Sequence, residues 1–416
     1  MKFHANSPCR LGGAYSMPYG LRNPSTGAPL CRPVSQGAGE IRGTLDRTKY
    51  MLSIAESCLA DVSLKDTDQP GYRRFIRRTP LGVVLVISPW NYPYLASINS
   101  VLPAIIAGNS VLLKPSPQSP LSAERLALAL DRAGVPKDVI QVLHLSPTLA
   151  TFVIQHPLVE FVSFTGSVAG GRSVEKAAVE ASGFKGVALE LAAELADGAF
   201  FNAGQSCCAV ERIYVHESVY DEFVSKFVDI AKSYKLGDPT KLETTLGPVV
   251  NPEHAKRIRK QVHDALEAGA KALIPEEHFV TPEIGKLEET GYVAPQVLVD
   301  VNHTMDVMVL ETFGPIIGIQ KVSGDEEAVR LMNDSPYGLT ASVWTDAEKN
   351  PESHEAFLRL VDELETGTVY LNRCDYLDPA LAWTGVRQSG RGVSLSKFGY
   401  DQLTRAKSVL MKIKTT

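Results

Sequence analysis

The residues of this chain that could do chemistry sit at the ends of apolar runs. Phe201-Asn-Ala-Gly-Gln-Ser-Cys207-Cys208-Ala209 puts two thiols directly after a Gly-Gln pair that closes an expected helix. A thiol becomes a useful nucleophile where it has access, a pliant backbone beside it and donors nearby, since at a pKa of about 8.5 only a few per cent is thiolate at neutral pH. Adjacent cysteines opening a strand also make good core residues, so spacing leaves both readings open. In Ser88-Pro89-Trp90-Asn91-Tyr92-Pro93 an Asn held between two prolines can aim its amide at a developing oxyanion, or can satisfy the backbone of a tight loop. Phe164-Thr-Gly-Ser167 is a strand-to-helix turn of small residues that a pyrophosphate could approach closely, although it lacks G-x-G-x-x-G. Lys114-Pro-Ser-Pro117 ends another strand with a single cation suited to a ribose, a phosphate or plain solvent. The nine His show neither H-E-x-x-H nor paired Cys-x-x-Cys spacing, and no metal is expected.

The elements that must position these groups are those of an α/β protein. Gly82–Ile87, Ser110–Lys114, Val139–Leu145 and Val159–Phe164 read as strands, separated by helices over Leu95–Gly108, Ser122–Gly134 and Thr148–His156. That alternation implies a parallel sheet covered on both faces, with ligands at the strand C-terminal ends. A second alternating block follows Cys207, from Val210–Val215 to Gly367–Leu371. Residues 1–36 form an irregular lead rich in Pro and Gly. The expected division is 37–189 for the first domain, 190–375 for the second and 376–416 for a tail ending in a strand over Lys407–Ile413. Tyr72–Thr79 alternates as a basic edge hairpin would.

Composition sets the outer bounds. With 416 residues, 44% hydrophobic and 21% charged, the chain can bury two or three cores without disulfide or metal staples. A net charge of −5 argues against nucleic acid, and no apolar run reaches the roughly 20 residues of a membrane span. Neither a signal peptide nor a C-terminal targeting signal is written at the ends, and six scattered Cys suit a reducing compartment such as the cytoplasm.

Pro89-Trp-Asn-Tyr-Pro93, Lys114-Pro-Ser116, Phe164-Thr-Gly-Ser167, Leu189-Glu190-Leu191, Gly204-Gln-Ser-Cys207, Glu311-Thr-Phe-Gly-Pro315 and Ser389-Gly390 together resemble the ordered motifs of the aldehyde dehydrogenase superfamily. The resemblance covers about residues 37–416. It implies two Rossmann-like α/β domains with a small oligomerisation element, and oxidation of an aldehyde to its acid with NAD or NADP. Cys207 would attack the aldehyde, the Asn91 amide and the Cys207 N–H would hold the oxyanion, and Glu190 would activate the water that hydrolyses the thioester. Ile87, Ser88, Trp90, Lys114, Gly166, Ser167 and Leu191 match cofactor-contacting positions, and Glu311 and Phe313 those that hold the nicotinamide ribose and ring. Members are usually dimers or tetramers. Tyr92, Tyr376, Leu377 and Trp383 suggest an apolar or aromatic substrate mouth, and Arg373 could pair with a carboxylate-bearing aldehyde; packing and surface roles suit these residues equally.

Three departures follow from the same resemblance. Pro117 stands where NAD-preferring members carry a ribose-binding Glu, which leaves NADP permitted, and Ser100 replaces a common lysine. Only 17 positions separate Glu190 from Cys207, about half the family's spacing. What is missing corresponds to a Gly-Gly turn and a strand, and what remains matches a helix over Ala192–Asn202. Eleven helical residues carry the chain about 16 Å from Glu190, and the five residues 203–207 return at most about 17 Å. Base and nucleophile then meet only if the helix shortens or the return is nearly straight. Acylation of Cys207 is therefore expected to survive better than Glu190-assisted deacylation. The alternative is a catalytically impaired homologue that keeps the fold; a cofactor-free thiol hydrolase would leave Lys114, Ser167, Glu311 and Phe313 without a task.

Overall fold

In the computed structural model the described residues are 34–63, 72–179, 186–188, 196–207, 209–280, 284, 287, 290–345, 350–374 and 377–413. Glu190, Leu191, Cys208 and Tyr376 lie outside them.

Val83–Ile87 is an unbroken β-branched and aliphatic run, almost wholly buried, as expected of a central parallel strand covered on both faces. It pairs in parallel with Ser110–Lys114 on one side and Val159–Phe164 on the other. Ile140–Val142 and Gly186–Ala188 complete a five-stranded sheet. The chain builds outward from Val83–Ile87 in one direction, then returns to its other side. The order reverses between Val83–Ile87 and Val159–Phe164, so the loops after these two strands border the crevice where open α/β sheets bind ligands. The helices Pro93–Ile106, Pro120–Arg132 and Pro147–Gln155 each begin on a proline, whose fixed φ and absent N–H suit the first turn.

The second sheet has the order Arg212–His216, Ile316–Val322, Gln296–Val299, Lys271–Ala272, with the last strand antiparallel. Thr340–Val343 and Thr368–Leu371 form a separate parallel pair. Arg212–His216 and Thr340–Val343 face one another across a cavity of ≈ 740 Å³ lined by Ile213, Val215, Met308, Leu339, Ala341 and Val343. The segment expected to lack a strand, between Glu190 and Cys207, lies in part outside the described residues.

Two local expectations are corrected. Tyr72–Pro80 is one strand, not a hairpin: its nine residues alternate without a turn former before Pro80. It pairs antiparallel with Val62–Ser63 and, from Thr404↔Pro80 to Lys412↔Tyr72, with the C-terminal strand Thr404–Lys412. The helix expected over Ala192–Asn202, described from Ala196 onward, ends at Phe200 and gives way to a tight turn, two residues earlier than expected.

Candidate active site

The turn before Cys207 has an unusual backbone. Asn202, Ala203 and Gly204 adopt φ of 53°, 56° and 68°, three successive left-handed residues. Glycine is required at the third: a Cβ there would lie 2.1 Å from the Gly314 carbonyl oxygen. The turn is thus pressed against the Glu311–Pro315 loop. Side chains lock it from within. Asn202 donates from Nδ2 to the Gln205 carbonyl at 3.1 Å, and Gln205 returns a bond from Nε2 to the Asn202 carbonyl at 3.0 Å. Gln205 Oε1 accepts from the Val250 N–H at 2.6 Å, tying the turn to the next loop.

This rigid turn presents Cys207 half-buried at the wall of the cavity, against the apolar cluster that includes Trp383 and Leu395. Asn91 reaches it from the first sheet. Its side chain is buried, and Nδ2 donates to the Gln205 carbonyl at 3.3 Å, two residues before the thiol. The two motifs, 116 residues apart, therefore meet as the resemblance implied. Asn91 retains a second amide hydrogen for another acceptor.

The crevice carries the expected cofactor residues. Ser88 donates its N–H to the Lys114 carbonyl at 3.0 Å, and Thr165 to the Ile87 carbonyl at 3.1 Å, which holds the three strand ends level. Lys114 is buried and donates to the Pro115 carbonyl at 3.2 Å; burial lowers its pKa. A side chain at Gly166 would have to displace the Phe164 ring, 2.7 Å from the added carbon. Ser167 opens the helix Val168–Val179, accepting from the Gly170 N–H at 3.2 Å. Trp90 and Phe313 meet edge to face with centroids 5.9 Å apart, which joins the Asn91 loop to the Glu311 loop. Glu311 is raised by burial. Ser100 shares a hydrogen bond with Ser163 at 2.8 Å, a purely internal contact.

Sequence reading missed three residues here. Glu211 is half-buried, and its carboxylate accepts from the Thr312 N–H and the Phe313 N–H at 3.0 Å each. Burial and the neighbouring Glu311 charge push Glu211 up to about 7, against the pull of those two donors. On the other side His254 Nε2 donates to the Phe313 carbonyl at 2.7 Å, and Arg257 donates to the Thr312 carbonyl at 3.0 Å. The suggestion of Trp383 as a substrate-mouth residue is corrected: it is 4% exposed and packs in the core, bridged through its backbone to Ser394.

A doubly wound sheet with a ligand crevice at its switch point, beside a second α/β unit that presents a half-buried thiol, is the architecture of a nucleotide-dependent enzyme. The model of the aldehyde dehydrogenase family matches residues 29–409, and the chain belongs to that family. It is 34% identical over 355 residues to betaine aldehyde dehydrogenase of Bacillus subtilis, covering 82% of this chain and 71% of the relative. It is 33% identical over 360 residues to human retinaldehyde dehydrogenase 3, covering 82% and 67%. Among solved structures, succinic semialdehyde dehydrogenase from Streptococcus pyogenes, in complex with NADP+, superposes with a TM-score of 0.80 at 27% identity, covering 92% of this chain and 84% of that one. Betaine aldehyde dehydrogenase from Staphylococcus aureus, in complex with NAD+, gives 0.82 at 27%, covering 92% and 77%. No helix among the described residues is long and apolar enough to cross a membrane.

Proposed function

We propose that this chain oxidises an aldehyde to the carboxylic acid through a covalent adduct on Cys207, with NAD or NADP as oxidant. The observation that carries the reading is the contact of Asn91 with the Gln205 carbonyl, which brings a buried amide donor from the first sheet to the segment that holds the half-buried Cys207 thiol. The residues at the switch point fit a dinucleotide. The buried Lys114 would recover, against an anionic group, part of what burial costs its charge. Ile87, Ser88, Trp90, Lys114, Gly166, Ser167 and Leu191 would hold it, with Glu311 and Phe313 on the nicotinamide ribose and ring. When bound, the nicotinamide supplies the hydride acceptor that converts a thiohemiacetal to a thioester.

The chain's own groups do the rest. Cys207 Sγ bonds to the aldehyde carbon, and the oxygen takes the resulting charge. The Asn91 amide and the Cys207 N–H bind that oxygen, the donors being fixed beforehand by the 202–205 turn. Glu190 takes a proton from the water that attacks the thioester, releasing the acid and the free thiolate. Under this reading the chain works as a homodimer or homotetramer through the sheet that ends in Thr404–Lys412, where Leu410 is 66% exposed, and in a reducing compartment that keeps Cys207 free.

A panel of aldehydes with different chain length, aromaticity and charge, each run with NAD+ and with NADP+, tests this at 340 nm. At least one pairing is expected to give reduced cofactor and acid in equal amounts. Acid formation that needs no cofactor would overturn the reading in favour of a hydrolase.

A further inference from the structure

Thr312 and Phe313 have no strand or helix partner, yet all four of their backbone polar groups are bound by side chains. Glu211 takes both N–H groups at 3.0 Å, Arg257 takes the Thr312 carbonyl at 3.0 Å and His254 takes the Phe313 carbonyl at 2.7 Å. Arg257 also donates to His254 Nδ1 at 3.2 Å, which fixes the imidazole as the tautomer with its proton on Nε2. The clamp holds a backbone that would not keep its shape unaided. Phe313 has φ +54°, a left-handed conformation that a bulky L-residue rarely adopts unaided.

We propose that Glu211 is a positioning residue for the cofactor, setting through the Thr312 and Phe313 N–H groups the left-handed turn that presents Glu311 and Phe313 to the nicotinamide end of the crevice. This rests on the reading of those two residues as cofactor contacts. A single carboxylate oriented by two charge-assisted bonds fixes both peptide planes of the turn at once. Glu211 lies four residues after Cys207 on the same segment, so the carboxylate also ties the turn to the nucleophile. Removing it leaves two N–H groups to find other acceptors and frees Phe313 to relax to negative φ. His254 and Arg257 still hold the carbonyls, so the loop stays attached but loses its set.

The test compares full-length wild type with Glu211→Gln and Glu211→Ala. Each is titrated with NADH and with NADPH, following nicotinamide fluorescence and the shift in melting temperature, and steady-state constants are measured in parallel. Glu211→Gln keeps size and one acceptor oxygen, and guards against a fold defect in Glu211→Ala. We expect Kd for the bound cofactor to rise about tenfold in Glu211→Ala and by a smaller factor in Glu211→Gln. The cofactor-induced melting shift should shrink accordingly, and KM for the cofactor should rise more than kcat falls. If wild type binds cofactor and the folded Glu211→Ala protein binds it equally well, the positioning role is wrong. If wild type binds neither cofactor, the underlying functional reading fails, and the two failures are told apart by the wild-type titration alone.

Discussion

Cys207→Ala is expected to abolish aldehyde oxidation, lowering kcat by at least about ten-thousandfold while leaving fold and cofactor binding in place. The thiol is the proposed nucleophile, and enzymes that lose their nucleophile lose nearly all of their acceleration because the remaining parts act on an intermediate that no longer forms. The structural cost is small. Cys207 is half-buried, and its replacement removes one sulfur at a cavity wall, whereas the turn that carries it is held by Asn202, Gln205 and Gly204. Intact melting temperature with absent activity is the outcome that separates nucleophile from core residue, the two readings that residue type alone left open. Steady-state assay and thermal melting of the same preparation decide it.

Asn91→Ala should lower kcat by about a hundred- to a thousandfold, the range seen when one oxyanion donor is removed. Its stability cost should be only about 1 kcal/mol, because the Gln205 carbonyl keeps its second donor, Asn202 Nδ2, when Asn91 is lost. The asymmetry is diagnostic. A residue that merely packed the loop would lower stability and activity together. Asn91→Asp sharpens the comparison, since it keeps the shape but sets a negative charge where the oxyanion forms. Measured kcat and melting temperature for the two variants should show activity falling far beyond what stability explains.

How far the chain could be read in advance depended on whether a feature was local. Val83–Ile87 announces itself by a continuous apolar run, and the C-terminal ends of this strand, Ser110–Lys114 and Val159–Phe164 bring Asn91, Lys114 and Ser167 to the edge where parallel sheets bind ligands. The hairpin expected at Tyr72–Thr79 failed for a tertiary reason. A period of two fixes a strand but not its partners, and here these are Val62–Ser63 just before it and, along its whole length, Thr404–Lys412 more than 300 residues away. The helix over Ala192–Asn202 failed because nothing in Asn202-Ala203 demands positive φ. Only the close approach of Gly314 behind Gly204 imposes it.

Glu211, His254 and Arg257 were illegible for a similar reason. Each looks like a solvated polar residue near a strand or on a helix, and their shared target is the backbone of a loop between 55 and 102 residues distant. One signal was present: a lone Glu between the apolar Val210 and the strand from Arg212, directly after a reactive-cysteine motif, is an odd place for a solvated charge. The shortened link between Glu190 and Cys207, by contrast, was visible by counting alone.

That spacing leads to the central proposal, that Cys207 is acylated faster than Glu190 can discharge it. The proposed base and nucleophile are only 17 positions apart, on a link about half as long as the resemblance to the family leads one to expect. Rapid mixing of enzyme with an aldehyde and excess NAD+ or NADP+, with absorbance at 340 nm and acid-quenched intact mass read from the same reaction, measures both steps. We predict a burst of reduced cofactor approaching one per Cys207, a mass increase matching the acyl group, and a slower steady state governed by its loss. A trace that is linear from the start at a normal turnover rate, with no acyl mass accumulating, would contradict the account.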